Sequence, residues 1–395
     1  MRLNRYEPER LGPLAPGIRL IIAWIGTLCC VLALCGAAYA FASIRIASRT
    51  LAKAKPGATA FLPVTVFKPL HGGEPEMVEN LRTFCAQDYP APVQIIFGME
   101  SHDDAVLRTI GDLPCALNVR TDMVIDARQH GANRKISNLI NMLPSARHDV
   151  LIISDSDIGV PPDWLRVVLG TLEQAGVGAV TCLYAGKPIA NIWSKVMAMG
   201  VSYQFLPNVL IGTALGLAKP CFGSTIAFTR KTLEEIGGFA PLADVIQDDY
   251  ALGDAIRARG LAVAIPPLVV THTCAERTFG GWLAHELRWA RTVRTIDPVG
   301  HFGSAATHTV PWAVLGVVLL GLSPLSITAL AAALGSRLVL KSIMDRRLPA
   351  ESGPLWLLPL RDLLSFLVFT ASLFGTKIRW RGAQLEIRRH AALQS

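Results

Sequence analysis

The chain has 395 residues, of which 51% are hydrophobic and only 17% charged; it is too long for one ordinary domain of about 100–200 residues and too apolar for an ordinary soluble enzyme. Its net charge of +8 comes without an interleaved aromatic and basic patch, which argues against a nucleic-acid partner and for the inner face of an anionic membrane. Its eight cysteines lack CxxC spacing, so neither a disulfide framework nor a zinc site is expected, and reduced, buried thiols are.

The first element is an apolar run. Residues 18–43 read IRLIIAWIGTLCCVLALCGAAYAFAS, more than the roughly 20 residues that span a bilayer. The run also exceeds the roughly 7–15 residues of a signal-peptide core, which favours a retained anchor over a cleaved leader. Arg45, Arg49, Lys53 and Lys55 follow it as a cytoplasmic flank should, although Arg2, Arg5 and Arg10 make the other side positive too.

Strand and helix signals then alternate. VTVFKPL (64–70) reads as a strand entering a loop, and Met77, Leu81 and Phe84 share one side of a helix over 75–85. VQIIFGM (93–99) is a second buried strand, 123–125 lies in a third, 136–142 forms a short helix, DVLIISD (149–155) is a fourth strand and VGAVTCLY (177–184) a fifth. Apolar runs without alternation suit strands buried on both sides. The pattern predicts an α/β domain with a mostly parallel sheet and helices on both faces. Residues 189–218 are apolar but broken by Ser, Asn, Pro and Gly: either a membrane-surface or acceptor-facing segment, or a pair of amphipathic core helices.

Residues 310–322 and 325–340 form two apolar segments parted at Ser323-Pro324, because proline disfavours helix at the residue before it; one long kinked span is the alternative. Residues 355–375 carry Arg361 and Asp362. Such charges at membrane depth face protein or the interface, which leaves a span, a re-entrant segment or an interfacial helix open. Lys341, Arg346, Arg347 and the tail KIRWRGAQLEIRRH suit an anionic inner face again. The expected division is a tail, anchor and linker over 1–55, a catalytic domain over 56–305 and C-terminal membrane helices over 306–395.

Four clusters are candidates for chemistry. In LIISDSDIGV (151–160) a buried strand ends on Asp155 and Asp157. Ligands of open α/β sheets sit beyond the carboxyl ends of the strands. Two carboxylates there can address Mg2+ or Mn2+, which keeps phosphate oxygens in its shell; a turn leading to a helix near Pro161-Pro162-Asp163 is the competing reading. In QDDYALGDAIRARG (247–260), Asp248 and Asp249 either complement a helix dipole or supply a general base for an acceptor hydroxyl. In GGWLAHELRWARTVR (280–294), His285, Arg288, Trp289 and Arg291 crowd one short helical stretch. Arginine neutralises a departing diphosphate and an indole stacks on a sugar; an interfacial basic helix is the alternative. HGANRKISNL (130–139) sets Asn133 and Lys135 before a helix, where a phosphate or sugar fits, although by itself the stretch reads first as an ordinary polar loop and no P-loop pattern is present.

In their order these motifs resemble the membrane-bound inverting glycosyltransferases of GT-A fold, and among them the ceramide glucosyltransferase-like branch. VTVFKPLHGGEP looks like that branch's opening strand and loop, HGANRKISNL like its GxNxKxxNL stretch, SDSDIGVPPD and QDDYALG like its second and third aspartate motifs, and HELRW like (Q/R)xxRW with His285 in the variable place. KPLHG, HGANRK, CFGSTIA, DDYALG and HELRWARTVR look most like the hopanoid-biosynthesis glycosyltransferases of bacteria. The resemblance covers about residues 64–294 and the hydrophobic ends. It implies a GT-A-type domain on the cytoplasmic side of a bacterial inner membrane and a Mg2+ or Mn2+ cofactor. It also implies a UDP-sugar donor, UDP-N-acetylglucosamine, and a hopanoid or similar lipid acceptor.

Carried onto this chain, the resemblance makes Asp249 the base beside Asp248, and Asp155 and Asp157 the metal-facing pair. Lys68, Asp104, Asn133, Lys135 and Asp155 would meet the donor, and His285, Arg288 and Trp289 the diphosphate and acceptor. In MESHDD (99–104) Ser101 stands where the family has an aspartate, so Asp103 or Asp104 is expected to take the uracil contact. A ceramide or diacylglycerol glucosyltransferase shares every motif. A processive polysaccharide synthase needs more spans, and a non-enzymatic membrane adaptor has no use for both acidic motifs.

Overall fold

The structure is a computed structural model that describes residues 15–70, 72, 76–375, 377–380 and 383–386. Arg2, Arg5 and Arg10, most of the HGGEP loop and part of the basic tail lie outside the described residues.

Helix α1 (Pro16–Leu51) opens with proline in its first turn, where the missing N–H costs nothing. Its buried side is built from small residues, Ala33, Ala37, Ala40 and Ala47 among them, which let neighbouring helices approach. A Cβ on Gly26 would come within 2.6 Å of Leu320.

The catalytic region then runs β1 (Val64–Pro69), α2 (Met77–Cys85), β2 (Val93–Met99), α3 (Asp104–Gly111), β3 (Val119–Ile125), α4 (Arg134–Met142), β4 (Val150–Ile153), β5 (Ile158–Gly159), α5 (Trp164–Leu172), β6 (Val177–Thr181) and β7 (Leu183–Pro188). After α6 (Ile192–Gly200), a π-helical turn (Val201–Phe205) and α7 (Leu206–Ala214) come β8 (Ile226–Thr229), α8 (Arg230–Glu235), α9 (Asp248–Ala258), β9 (Ala262–Ala264), β10 (Val269–Cys274) and α10 (Phe279–Ile296). Helices α11 (Pro298–Gly303), α12 (Thr309–Leu320), α13 (Pro324–Asp345) and α14 (Leu358–Ser372) follow.

Seven strands form one sheet in the order β3-β2-β1-β4-β8-β6-β9. Only β8 runs against its neighbours, β4 and β6, so the sheet is mostly parallel as expected. Side chains alternate between its faces. Val66, Ile95 and Ile152 join Leu81, Phe84 and Val168 in one cluster, while Phe67, Ile96 and Leu151 join Ile136, Leu139 and Leu252 in another. Helices therefore cover both sides of the α/β domain.

Two expectations need correction. The run 177–184 is two strands, not one: at Cys182, whose carbonyl accepts from Ser224 Oγ at 2.9 Å, the chain leaves the large sheet. It continues as β7 in a second sheet, β5-β10-β7. Nor are all thiols reduced. Cys85 at the end of α2 and Cys115 before β3 form a disulfide with Cα atoms 4.4 Å apart; packing of α2 on the β3 approach, not a motif, brings them together.

Among the described residues three helices are long and apolar enough to cross a membrane, namely Pro16–Leu51, Pro324–Asp345 and Leu355–Ser372, and Pro298–Thr307 with Thr309–Leu320 makes a pair bent by 58°. Ser323 caps α13 by accepting from Ser326 N–H at 3.3 Å, which parts the two apolar segments. Arg361 and Asp362 both face protein: Asp362 accepts two bonds from Arg337 at 2.8 and 2.7 Å, and Arg361 donates to Glu286 at 2.9 Å. Residues 189–218 form α6, the π turn and α7, which bury Val196, Met197, Leu206 and Leu210.

Candidate functional site

The site assembles at the carboxyl end of β4. Strand β1 runs parallel to β4, with Phe67 opposite Ile153, so Lys68 arrives beside Ser154. Its ammonium is buried, donates to the Asp155 carbonyl oxygen and lies 3.8 Å over the Phe84 ring. It therefore props the SDSD turn from behind. The turn is held from the other side too: Asp155 N–H donates to the Gly223 carbonyl at 3.0 Å, and Thr273 N–H to the Asp157 carbonyl at 2.9 Å.

Asn133 likewise serves the frame. Its Oδ1 accepts from the N–H groups of Lys135 and Ile136, capping α4, and its Nδ2 donates to Val245 O at 2.7 Å and Asp248 Oδ1 at 3.3 Å. The cap aims Lys135 inward. Its Nζ lies 2.9 Å from Asp155, 3.2 Å from Asp248 and 3.6 Å from Asp249. One ammonium thus gathers carboxylates from two distant motifs. Gly223 makes the cluster sterically feasible, since a Cβ there would lie 2.4 Å from Asp155 Oδ2 and 3.0 Å from Asp249 Oδ2. Its N–H donates to Asp249 at 2.7 Å.

The two aspartates of α9 differ in environment. Asp248 is 10% exposed at its side chain and Asp249 33%. Burial pushes Asp248 up to about 7, against the pull of Lys135. Burial raises Asp249 as well, but Lys135 and the Asp248 and Gly223 hydrogen bonds outweigh it and hold Asp249 below the usual carboxylate range. Asp249 is therefore the ionised, accessible member. Burial also raises Asp155, with Lys135 opposing.

Asp157 faces a different partner, His272 of β10, at 3.2 Å. Despite burial, the pair shifts apart: His272 is held well above its usual value and Asp157 below its own. Nothing in VVTHTC marks this histidine; its role depends on β5 and β10 pairing, with Ile158 opposite His272. Tyr184 was equally unmarked, and Gly223 stood in CFGSTIA with no role assigned to it. The Tyr184 ring packs 5.6 Å from His272 and 5.0 Å from Phe205.

Helix α10 closes the site. His285 Nδ1 pairs with Glu276 at 2.7 Å, and its ring meets Trp289 edge-on at 4.7 Å. Trp289 also lies 5.9 Å from His272. The guanidinium of Arg288 forms no ion pair or hydrogen bond among the described residues; burial depresses its pKa, and the charges of Asp157 and Asp249 raise it. Ser101 is exposed, Asp103 accepts from Val106 N–H at 3.2 Å at the start of α3, and the Asp104 side chain lies outside the described residues.

Among the described residues no group of three or more His, Cys, Asp or Glu side chains could hold an ion. Asp155 and Asp157 nevertheless offer hard oxygen donors at one turn. This suits Mg2+ or Mn2+ if phosphate oxygens complete the shell.

The family model for glycosyl transferase family 21 matches residues 27–393. Ceramide glucosyltransferase 1 of Caenorhabditis elegans is 23% identical over 234 residues, covering 58% of this chain and 49% of that protein. Ceramide glucosyltransferase 3 of the same organism is 21% identical over 235 residues, covering 58% and 50%. The chain thus spans about half the length of the curated relatives it matches. Among solved structures, the mannosyltransferase PcManGT from Pyrobaculum calidifontis, in complex with GDP-Man and Mn2+, has a TM-score of 0.47 at 22% identity, covering 89% of this chain and 99% of that one.

Proposed function

The chain belongs to glycosyl transferase family 21, and from that premise we propose that it is a membrane-bound inverting glycosyltransferase moving a sugar from a UDP-sugar to a lipid hydroxyl. The observation that carries this reading is the gathering of Asp155, Asp248 and Asp249 around Lys135, with Asp249 left accessible. An ionised, accessible carboxylate is what a general base requires. Asp249 takes the proton of the acceptor hydroxyl as its oxygen attacks the anomeric carbon and the bond to the diphosphate breaks. Arg288, with its donors uncommitted, neutralises the leaving UDP. A Mg2+ or Mn2+ ion held by Asp155 and Asp157 supplies further charge neutralisation when bound. Trp289 and His285 line the acceptor side, Lys135 holds the acidic cluster together, and Lys68 and Asn133 hold its frame.

In this reading residues 56–305 form the catalytic domain on the cytoplasmic side of a bacterial inner membrane, with 1–55 and 306–395 anchoring it. UDP-N-acetylglucosamine and a hopanoid are the donor and acceptor we favour, on the motif resemblance. A second reading, glucosyl transfer to ceramide, is favoured by the two Caenorhabditis elegans relatives. Incubating the purified full chain with UDP-glucose or UDP-N-acetylglucosamine and each lipid, with mass spectrometry of the product, separates them. In the same assay Asp249→Asn should lower transfer by about 100-fold or more while UDP-sugar affinity changes little; transfer at the wild-type rate refutes the assignment.

A further inference from the structure

A cavity of about 20 Å3 lies between α1, the π turn with α7, and α13, lined by Tyr39, Ser43, Gln204, Asn208, Thr309 and Arg337 among others. It sits at the ends of the apolar helices that meet the catalytic domain. Arg45 and Arg49 follow Tyr39 and Ser43 on α1, and Lys341 and Asp345 at the end of α13 hold the Tyr203 hydroxyl. That is the level lipid headgroups occupy.

Its polar groups are unevenly satisfied. Arg337 is engaged through each of its three nitrogens: Nε and Nη2 donate to Asp362, and Nη1 donates to Tyr203 O at 2.7 Å. Its charge is matched, so the cavity does not select an anion. The two carboxamides are engaged only through oxygen. Gln204 Oε1 accepts from Ser365, and Asn208 Oδ1 accepts from Tyr39 Oη at 3.1 Å. Neither amide nitrogen forms a hydrogen bond among the described residues. Both residues are half-buried and line the cavity, so their unused N–H donors are open to an acceptor that enters it. The volume admits one water-sized group, hence a single hydroxyl or carbonyl oxygen rather than a phosphate or a sugar.

The cavity also adjoins the reaction site. Gln204 and Phe205 are consecutive residues of the π turn, a feature that recurs at functional sites. The Phe205 ring lies 5.5 Å from Phe222 and 6.2 Å from Trp289. One residue faces the cavity and the next faces the aromatic wall beside Asp157 and His272.

We propose that this cavity binds a second, uncharged polar group of the lipid acceptor, a hydroxyl or amide carbonyl oxygen that accepts from Gln204 Nε2 and Asn208 Nδ2, while the reacting hydroxyl lies beyond Phe205 at Asp249. This rests on the lipid-acceptor function proposed above. The test uses the full chain in mixed micelles with ceramide, diacylglycerol and a polyol hopanoid as acceptors and UDP-glucose or UDP-N-acetylglucosamine as donor. Gln204→Met and Asn208→Leu should each raise the acceptor KM at least tenfold while the UDP-sugar KM and donor hydrolysis without lipid stay at wild-type values. Independently of any variant, an acceptor stripped of every polar group but the reacting hydroxyl should show a KM at least tenfold above its parent on the wild-type protein. Equal KM values for parent and stripped acceptors, or unchanged acceptor KM in both variants, would mean that the cavity holds only a water, and would overturn the proposal. A wild-type protein that glycosylates none of the three lipids overturns the lipid-acceptor function itself, and this slot with it.

Discussion

Replacing Lys135 by methionine tests the electrostatic frame of the site most directly. The side chain is 10% exposed and its ammonium contacts three carboxylates at 2.9, 3.2 and 3.6 Å. At an effective dielectric of about 20, a contact near 3 Å is worth roughly 5 kcal/mol of attraction, and desolvation of the ions offsets most of that sum. Removing one partner of a buried cluster while leaving the others charged costs about 3–5 kcal/mol. For a domain of this size that is a fall in Tm of roughly 10 °C. The loss should depend on pH in a defined direction. Without Lys135, the main group lowering Asp155, Asp248 and Asp249 is gone, so Asp155 and Asp248, already raised, move further above the unfolded value of about 3.9 and Asp249 rises from below it. The folded state then binds more protons than the unfolded one across the window between those values, and stability falls as pH rises through it. Thermal unfolding of the Lys135→Met protein, followed by tryptophan fluorescence, should therefore show a large deficit at pH 8 that shrinks at pH 5. Adding Asp248→Asn should restore part of it. A deficit under about 1 kcal/mol at pH 8, or one equal at pH 5 and 8, refutes the reasoning.

Other substitutions probe separate parts of the site. Arg288→Ala should lower kcat for sugar transfer by about 100- to 1,000-fold, the cost of losing one donor aimed at developing charge, with the fold intact by circular dichroism. Gly223→Ala places a methyl 2.4 Å from Asp155 Oδ2, and should destabilise by about 1–3 kcal/mol and weaken donor binding in titrations with UDP. Arg361→Met removes the buried partner of the half-buried Glu286 carboxylate, which Arg361 holds at 2.9 Å, and should cost about 1–3 kcal/mol in chemical denaturation; Arg361→Met combined with Glu286→Leu should recover most of it.

Much of the sheet was legible because its central strands are buried on both faces. VTVFKP, VQIIFGM and VLII bury every residue, so the apolar runs announced themselves without periodicity. What the sequence hid depends on long-range pairing. The break at Cys182 has no Gly or Pro to mark it and exists because β7 finds β10. His272 reads as one residue in an ordinary strand until that same sheet lays it against Asp157. Lys68 and Asn133 were legible as important, and the structure shows what each does for the frame: a polar residue in a motif can hold the backbone that presents a carboxylate, and spacing does not reveal this. The disulfide was missed because nothing in the 30-residue separation of Cys85 and Cys115 shows that their elements pack together.

The membrane helices are better understood as a wall of the site than as an anchor for it. Helix α10, which carries His285, Arg288 and Trp289, is tied to the C-terminal hydrophobic segment at three points along its length. Glu286 accepts from Arg361 at 2.9 Å, Arg291 donates to Phe374 O at 3.2 Å and Arg294 donates to Gly375 O at 2.6 Å. Two of these ties use the last carbonyls beyond α14, where helix-end acceptors are otherwise unsatisfied. The Arg361 tie is the interior one, between a buried Arg361 and a half-buried Glu286, and so fixes the rotation of α10 about its axis as well as its position. Neighbouring residues 286 and 288 point about 200° apart around a helix of 3.6 residues per turn; holding Glu286 toward α14 therefore turns Arg288 away from it, toward Asp157 and Asp249. A fragment ending before α12, kept in detergent, should on this argument retain the acidic cluster around Lys135 yet lose the placement of Arg288, so that UDP still binds while transfer fails. Transfer at the full-length rate by such a fragment would show that α10 needs no such hold.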